Sequence, residues 1–109
     1  MAYDETLAQR VRHAVADLPG LTEKRMFGGI GFMLHGNMAC GVIGDDLIVR
    51  VGRQGYEQAL AKPGARPFDM TGRPMRGWVA VGPAGHDSDE PLQAWVQQGV
   101  DFALTLLPK

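Results

Sequence analysis

The sequence predicts an α+β domain of two layers, a mostly antiparallel sheet with helices packed on one side. Three observations lead there. Residues 30–34, 38–43 and 47–51 are apolar runs of strand length, joined by glycine-bearing turns so short that neighbouring strands must be antiparallel. Apolar residues at helical spacing open the chain and close it. Aligning the hairpins places apolar residues in continuous rows, and such rows need a covering layer. The expected order is one helix, three or four strands, a second helix, two strands and a final helix. All 109 residues are expected to form a single domain, 1–109.

The first helix starts at Asp4, a suitable N-cap. Leu7, Val11, Ala14, Val15 and Leu18 fall on one face, and Pro19-Gly20 stops it. Thr22 to Phe27 reads as a strand running into a bend or bulge at Gly28-Gly29. Ile30 to Leu34 alternates, and His35-Gly36-Asn37 reads as a three-residue hairpin loop. Met38 to Ile43 returns, Gly44-Asp45 makes a two-residue turn, and Leu47 to Val51 follows.

These loop lengths imply a register. Leu34 pairs with Met38, Phe32 with Cys40 and Ile30 with Val42; Val42 then pairs with Leu47, Cys40 with Val49 and Met38 with Val51. All are apolar, so they form the expected core face. Slipping the second hairpin by one residue would put Arg50 beside Cys40, burying an unpaired charge. The opposite face reads Gly31, Gly41 and Ile48 in one row and Met33, Ala39 and Arg50 in the next. It is too apolar for a plain solvent face. Either another part of the chain packs there, or it is an interface for a partner or a second copy.

After Gly52 a short helix is expected over Gln54 to Ala61, with Tyr56, Ala59 and Leu60 inward and Pro63-Gly64 as the stop. Pro67 to Met70 reads as an edge strand, since proline removes a ladder donor. Thr71 to Pro74 turns, Trp78 to Val81 is the last strand, and 82–85 close it. Ser88 or Asp89 caps the final helix, and Glu90 and Pro91 suit its first turn. Leu92, Trp95, Val96, Gly99, Val100, Ala103, Leu104 and Leu107 share one face; Gly99 and Ala103 imply a close approach to the sheet.

Composition excludes several classes. Apolar residues are 45% and charged residues 21%, with a net charge of −1, which is no bulk polycation. The charge is uneven: residues 21–77 carry eight bases and five acids (+3), and residues 78–109 one base and four acids (−3). A single cysteine, Cys40, allows no internal disulfide. No run approaches the length of a membrane span, and the N-terminus lacks a signal-peptide layout, so a cytoplasmic protein is expected. Gly28-Gly29-Ile30-Gly31 leads into a strand rather than a helix, which is the wrong context for a phosphate loop. His13, His35, His86 and Cys40 share no metal-ligand spacing, and Ser88, the one serine, sits at a cap. No catalytic residue, cofactor or metal is expected. Lys24, Arg25, Arg73 and Arg76 are the candidate contacts for an anion or nucleic acid, in a basic set with Arg50, which ends a strand, Arg53, which opens the next helix, and Arg66. Few aromatics lie among them, which disfavours a base-stacking platform.

The stretches Lys24-Arg25-Met26-Phe27-Gly28-Gly29-Ile30-Gly31-Phe32, Gly36 to Cys40 and Leu47 to Val51 resemble the N-terminal domain of the TfoX/Sxy family, as a stand-alone single-domain member. Pro67 to Met70 and Trp78-Val79 are similar as well, so the resemblance spans about residues 3–107. It implies a small α/β domain with a mainly antiparallel sheet. The family's namesakes are bacterial regulators of competence for DNA uptake that act with a transcription activator and carry a second, helical domain. The resemblance brings no catalytic residues; Arg50 stands where relatives often have lysine.

The expected function is therefore a non-enzymatic regulatory or adaptor domain, acting through protein contacts on Met33, Ala39, Ile48 and Arg50, with a homodimer as one form. The alternatives are a nucleic-acid-associated regulator using its basic surface and a small-molecule binder.

Overall fold

The computed structural model describes residues 3–26, 28–69 and 72–108. The expected strand end at Phe27, the edge-strand end at Met70 and the turn start at Thr71 lie outside them. The elements are α1 (Glu5–Ala14), β1 (Leu21–Met26), β2 (Gly29–Leu34), β3 (Asn37–Ile43), β4 (Asp46–Arg50), α2 (Gly52–Leu60), β5 (Ala65–Asp69), β6 (Pro74–Val81), α3 (Pro83–His86) and α4 (Asp89–Leu104). The six strands form one antiparallel sheet in the order β1-β2-β3-β4-β6-β5. The α+β class and the order of elements are as the sequence predicts, with the short α3 added where a turn was expected.

α1 starts as expected. The Asp4 carboxylate accepts from the backbone N–H of Thr6 at 2.9 Å and Leu7 at 3.2 Å, satisfying two of the free donors of the first turn. α1 is shorter than its apolar spacing suggested: Val15 is the C-cap, and Leu18 packs against the core from the following turn. α4 is capped at Ser88 by backbone geometry, without a side-chain hydrogen bond.

Pairing follows the predicted register where the strands are regular: Ile30–Val42, Phe32–Cys40, Val42–Leu47 and Cys40–Val49 are partners. The first hairpin departs at its turn. His35 (φ +52°) and Gly36 (φ +85°) are both left-handed, so the loop has two residues, and Leu34 pairs with Asn37 and Met33 with Met38. The surplus residue is absorbed as a bulge at Ala39. Two expectations are thereby corrected. Met38, placed on the core face by the predicted loop, lies on the opposite face with its side chain over Gly31 and Gly41. Ala39, placed on the outer face, is wholly buried in the core beneath α4. The predicted Met38–Val51 pair does not form, since β4 ends at Arg50.

One row of the covered face runs Glu23–Phe32–Cys40–Val49–Val79–Pro67 across all six strands. Its apolar centre joins Leu7, Ala8 and Val11 of α1, Tyr56 and Ala59 of α2, and the Leu92–Ala103 stripe of α4 in one cluster. Each fully buried large aliphatic or aromatic side chain in it stabilises the fold by about 1.5–3 kcal/mol. Gly99 lets α4 sit directly on the bulge: a Cβ there would stand 2.4 Å from the Ala39 carbonyl oxygen. α3 packs on α4 and β6. All four helices thus lie on one side. Among the described residues no helix is long and apolar enough to cross a membrane.

Candidate functional site

Among the described residues no helix lies over the opposite face of the sheet. Its central row, from edge to edge, is Lys24–Gly31–Gly41–Ile48–Ala80–Arg66. Gly31 and Gly41 make a shallow floor, and methionines lie over it. A Cβ on Gly31 would meet Met26 Cε at 3.1 Å, and one on Gly41 would meet Met38 Cε at 2.7 Å. Ile48 is only 1% exposed yet stands outside the helix-side core. Met33 is half-buried beside them. Methionine is unbranched and polarisable, so this surface can adapt its shape to an apolar ligand.

One end of this face carries its charge. Arg50 pairs in register with Trp78, and its guanidinium carbon lies 5.0 Å from the Trp78 ring centroid and 5.4 Å from that of Phe102 in α4. Phe68 flanks Trp78 from the other neighbouring strand, 6.5 Å between centroids and tilted 46°. Trp78 is therefore bracketed on both sides. The backbone then brings more arginines to the same corner. The Val51 N–H donates to the Gly77 carbonyl at 2.8 Å, so residues 50–53 run beside 76–78. Arg53, in the first turn of α2, and Arg76 are both exposed there, and that turn holds no acid. Among the described residues the ion pairs are Arg10–Asp89, Arg12–Glu5, Arg12–Glu23 and Arg66–Asp46; Arg50, Arg53, Arg73 and Arg76 have no ion-pair partner.

The structure sorts the predicted residues. Met33, Ile48 and Arg50 share the helix-free face, and Ala39 does not. Lys24 lies on that face at its edge, whereas its neighbour Arg25 projects to the other side of β1, where its charge reaches Glu5. Arg73 and Arg76 belong to the β5–β6 end, four strand spacings from β1, about 19 Å away. The anion quartet is thus divided, and of its second half Arg76 joins Arg50 and Arg53. Sequence reasoning missed Met38, Trp78, Phe68 and Phe102. The first depends on the bulge; the others depend on β4 pairing with β6 and on where α4 ends. The Trp78-Val79 segment was the one available signal.

Elsewhere the chemistry is structural. Cys40 is buried, which pushes its thiol up to about 12 and keeps it protonated and unreactive. His86 is 5% exposed; its Nε2–H donates to the Asp45 carbonyl at 2.9 Å, while Nδ1 has no partner among the described residues. The Arg12 guanidinium, hydrogen-bonded to Glu5, lowers the Glu5 carboxyl below the usual range. Among the described residues no three His, Cys, Asp or Glu side chains are grouped to hold a metal ion. Open clefts lie in the helix layer. One of about 430 Å³ runs between α1 and α4 past Arg10, His13 and Gln93; one of about 360 Å³ lies beside Pro63, Pro91 and Trp95. The second also carries Lys62, Asp87 and Ser88, and the Lys62 ammonium donates to Gln98 at 3.3 Å.

No curated protein matches the chain, and no solved structure does. The family model for the TfoX N-terminal domain matches residues 13–103, most of the chain and every strand of the sheet. The chain belongs to the TfoX N-terminal domain family.

Proposed function

We propose that this chain is a non-enzymatic regulatory or adaptor domain that binds a protein through the helix-free face of its sheet. The observation behind this reading is the segregation of all four helices to one side, leaving Met33, Met38 and Ile48 on a face of strands with no second layer. Both sheet edges are guarded against strand addition: β1 carries Glu23, Lys24 and Arg25 in succession, and β5 carries Pro67. Contact through the face rather than the edge follows. A regulatory role accords with the competence regulators after which the family is named.

A photo-crosslinking residue placed at Met33, and separately at Gln93 in the helix layer, tests this in the native cell. A discrete protein adduct at position 33 with none at 93 is the expected outcome. Adducts of equal yield from both positions, or none at 33, would remove the reading. A nucleic-acid-associated regulator is the second reading, favoured by the meeting of Arg50, Arg53 and Arg76 at one corner. It predicts oligonucleotide binding that weakens steeply with salt.

A further inference from the structure

We infer that the corner built on Arg50 takes a carboxylate, so that the segment docking on the helix-free face is acidic as well as apolar. This rests on the proposed role of that face and specifies the chemistry of its partner. A guanidinium is planar, its faces suit aromatic rings and its edge carries the N–H donors. Here the guanidinium carbon stands over the Trp78 and Phe102 rings, 5.0 and 5.4 Å from their centroids, and no acid among the described residues pairs with the group. The group is half-buried and held in place before any ligand arrives, which lowers the entropic cost of binding. An in-plane approach to such an edge is the geometry of a carboxylate. Arg53 and Arg76 add positive charge at the same corner.

Three occupants compete for this surface, and the observations separate them. A nucleic acid satisfies the arginines but offers no aliphatic side chain for the half-buried Met33 and Met38. It also finds no open ring at Trp78, which Arg50 and Phe68 already flank. A second copy docked about a two-fold axis sets each residue of this face against a different one of the other copy, and the central row of the face, Lys24–Gly31–Gly41–Ile48–Ala80–Arg66, offers the arginine corner no carboxylate. An acidic protein segment satisfies both parts: apolar side chains on the methionine floor, carboxylates at the arginine corner.

The test uses the full chain as bait for a displayed library of random twelve-residue peptides. The enriched peptides should carry Asp or Glu next to Leu, Ile, Met or Phe. Their binding should fall about tenfold or more in Arg50→Gln, less in Arg50→Lys, a few-fold in Arg53→Gln or Arg76→Gln, and not at all in Lys24→Gln. The exposed Arg53 and Arg76 variants carry the test if Arg50→Gln fails to fold. Methyl signals of Met33 and Met38, followed by NMR with labelled methionine, should shift on binding. Peptides that shift those methyls but bind Arg50→Gln as well as the parent would overturn the carboxylate assignment and leave the protein-binding face intact. Peptides that leave the methyls unmoved, or a selection that enriches nothing, would overturn both. A single-stranded oligonucleotide that binds through Arg50 while no peptide does would replace the acidic segment with nucleic acid.

Discussion

Phe32 and Met33 are neighbours on β2, yet their side chains enter different worlds. The first is fully buried with Cys40 and Val49 beneath α4; the second is half-buried on a face that no helix crosses. The covered face is walled by backbone. Gly99 of α4 and the Ala39 carbonyl meet so closely that nothing between them can give way. The helix-free face is walled by the ends of flexible side chains, Met26 and Met38 over Gly31 and Gly41. A single sheet therefore offers one side that fixes the fold and another that can remodel, and period-two alternation keeps the two apart.

The sharpest test of that contrast is a pair of truncations. Phe32→Ala should cost about 3–5 kcal/mol, because it leaves a cavity in the closed core, whereas Met33→Ala should cost about 1 kcal/mol. Urea unfolding of both variants measures this, and equal losses would mean that the two faces are equally closed. The next contrast adds a methyl group to each side. Gly99→Ala must push α4 off the bulge and should cost about 1–3 kcal/mol. Gly31→Ala meets only the Met26 and Met38 side-chain tips, which can move, and should change stability by less than about 1 kcal/mol. If Gly31→Ala were the worse of the two, the methionine layer would be as rigid as the helix contact.

The last contrast concerns alkaline pH. Cys40 stays protonated in the folded chain up to about 12, whereas in the unfolded chain it ionises near pH 9. Between those values the folded state holds the extra proton, so this residue's contribution to stability is full below pH 9 and falls as pH rises. The slope is about 1.4 kcal/mol per pH unit. Relative to the parent, Cys40→Ala should lose stability less steeply above pH 9 in thermal unfolding. Parallel curves for the two proteins would show that the thiol ionises without unfolding and that the covered face is not closed.

Much of this arrangement was legible before any coordinates. The Phe32–Cys40–Val49 row follows from alternation and turn length, both of which act over a few residues. The exchange of Met38 for Ala39 was not legible, because His35 and Gly36 can both take positive φ, and a two-residue turn with a bulge then competes with a three-residue loop on nearly equal terms. Nor was the Arg50 corner. Arg50 and Trp78 stand 28 positions apart, and only the insertion of β6 between β4 and β5 makes them neighbours.

The amino-acid sequence alone determined the Phe32–Cys40–Val49 row, the turn at Gly44-Asp45, and that the terminal helices bury one stripe, because each depends on local steric preference and the spacing of apolar side chains. Only the tertiary structure decided that β6 enters between β4 and β5, and that Arg50 comes to rest beside Trp78 and Phe102. Those outcomes depend on contacts between segments far apart in the chain, where the gain from packing, not local preference, selects the partner.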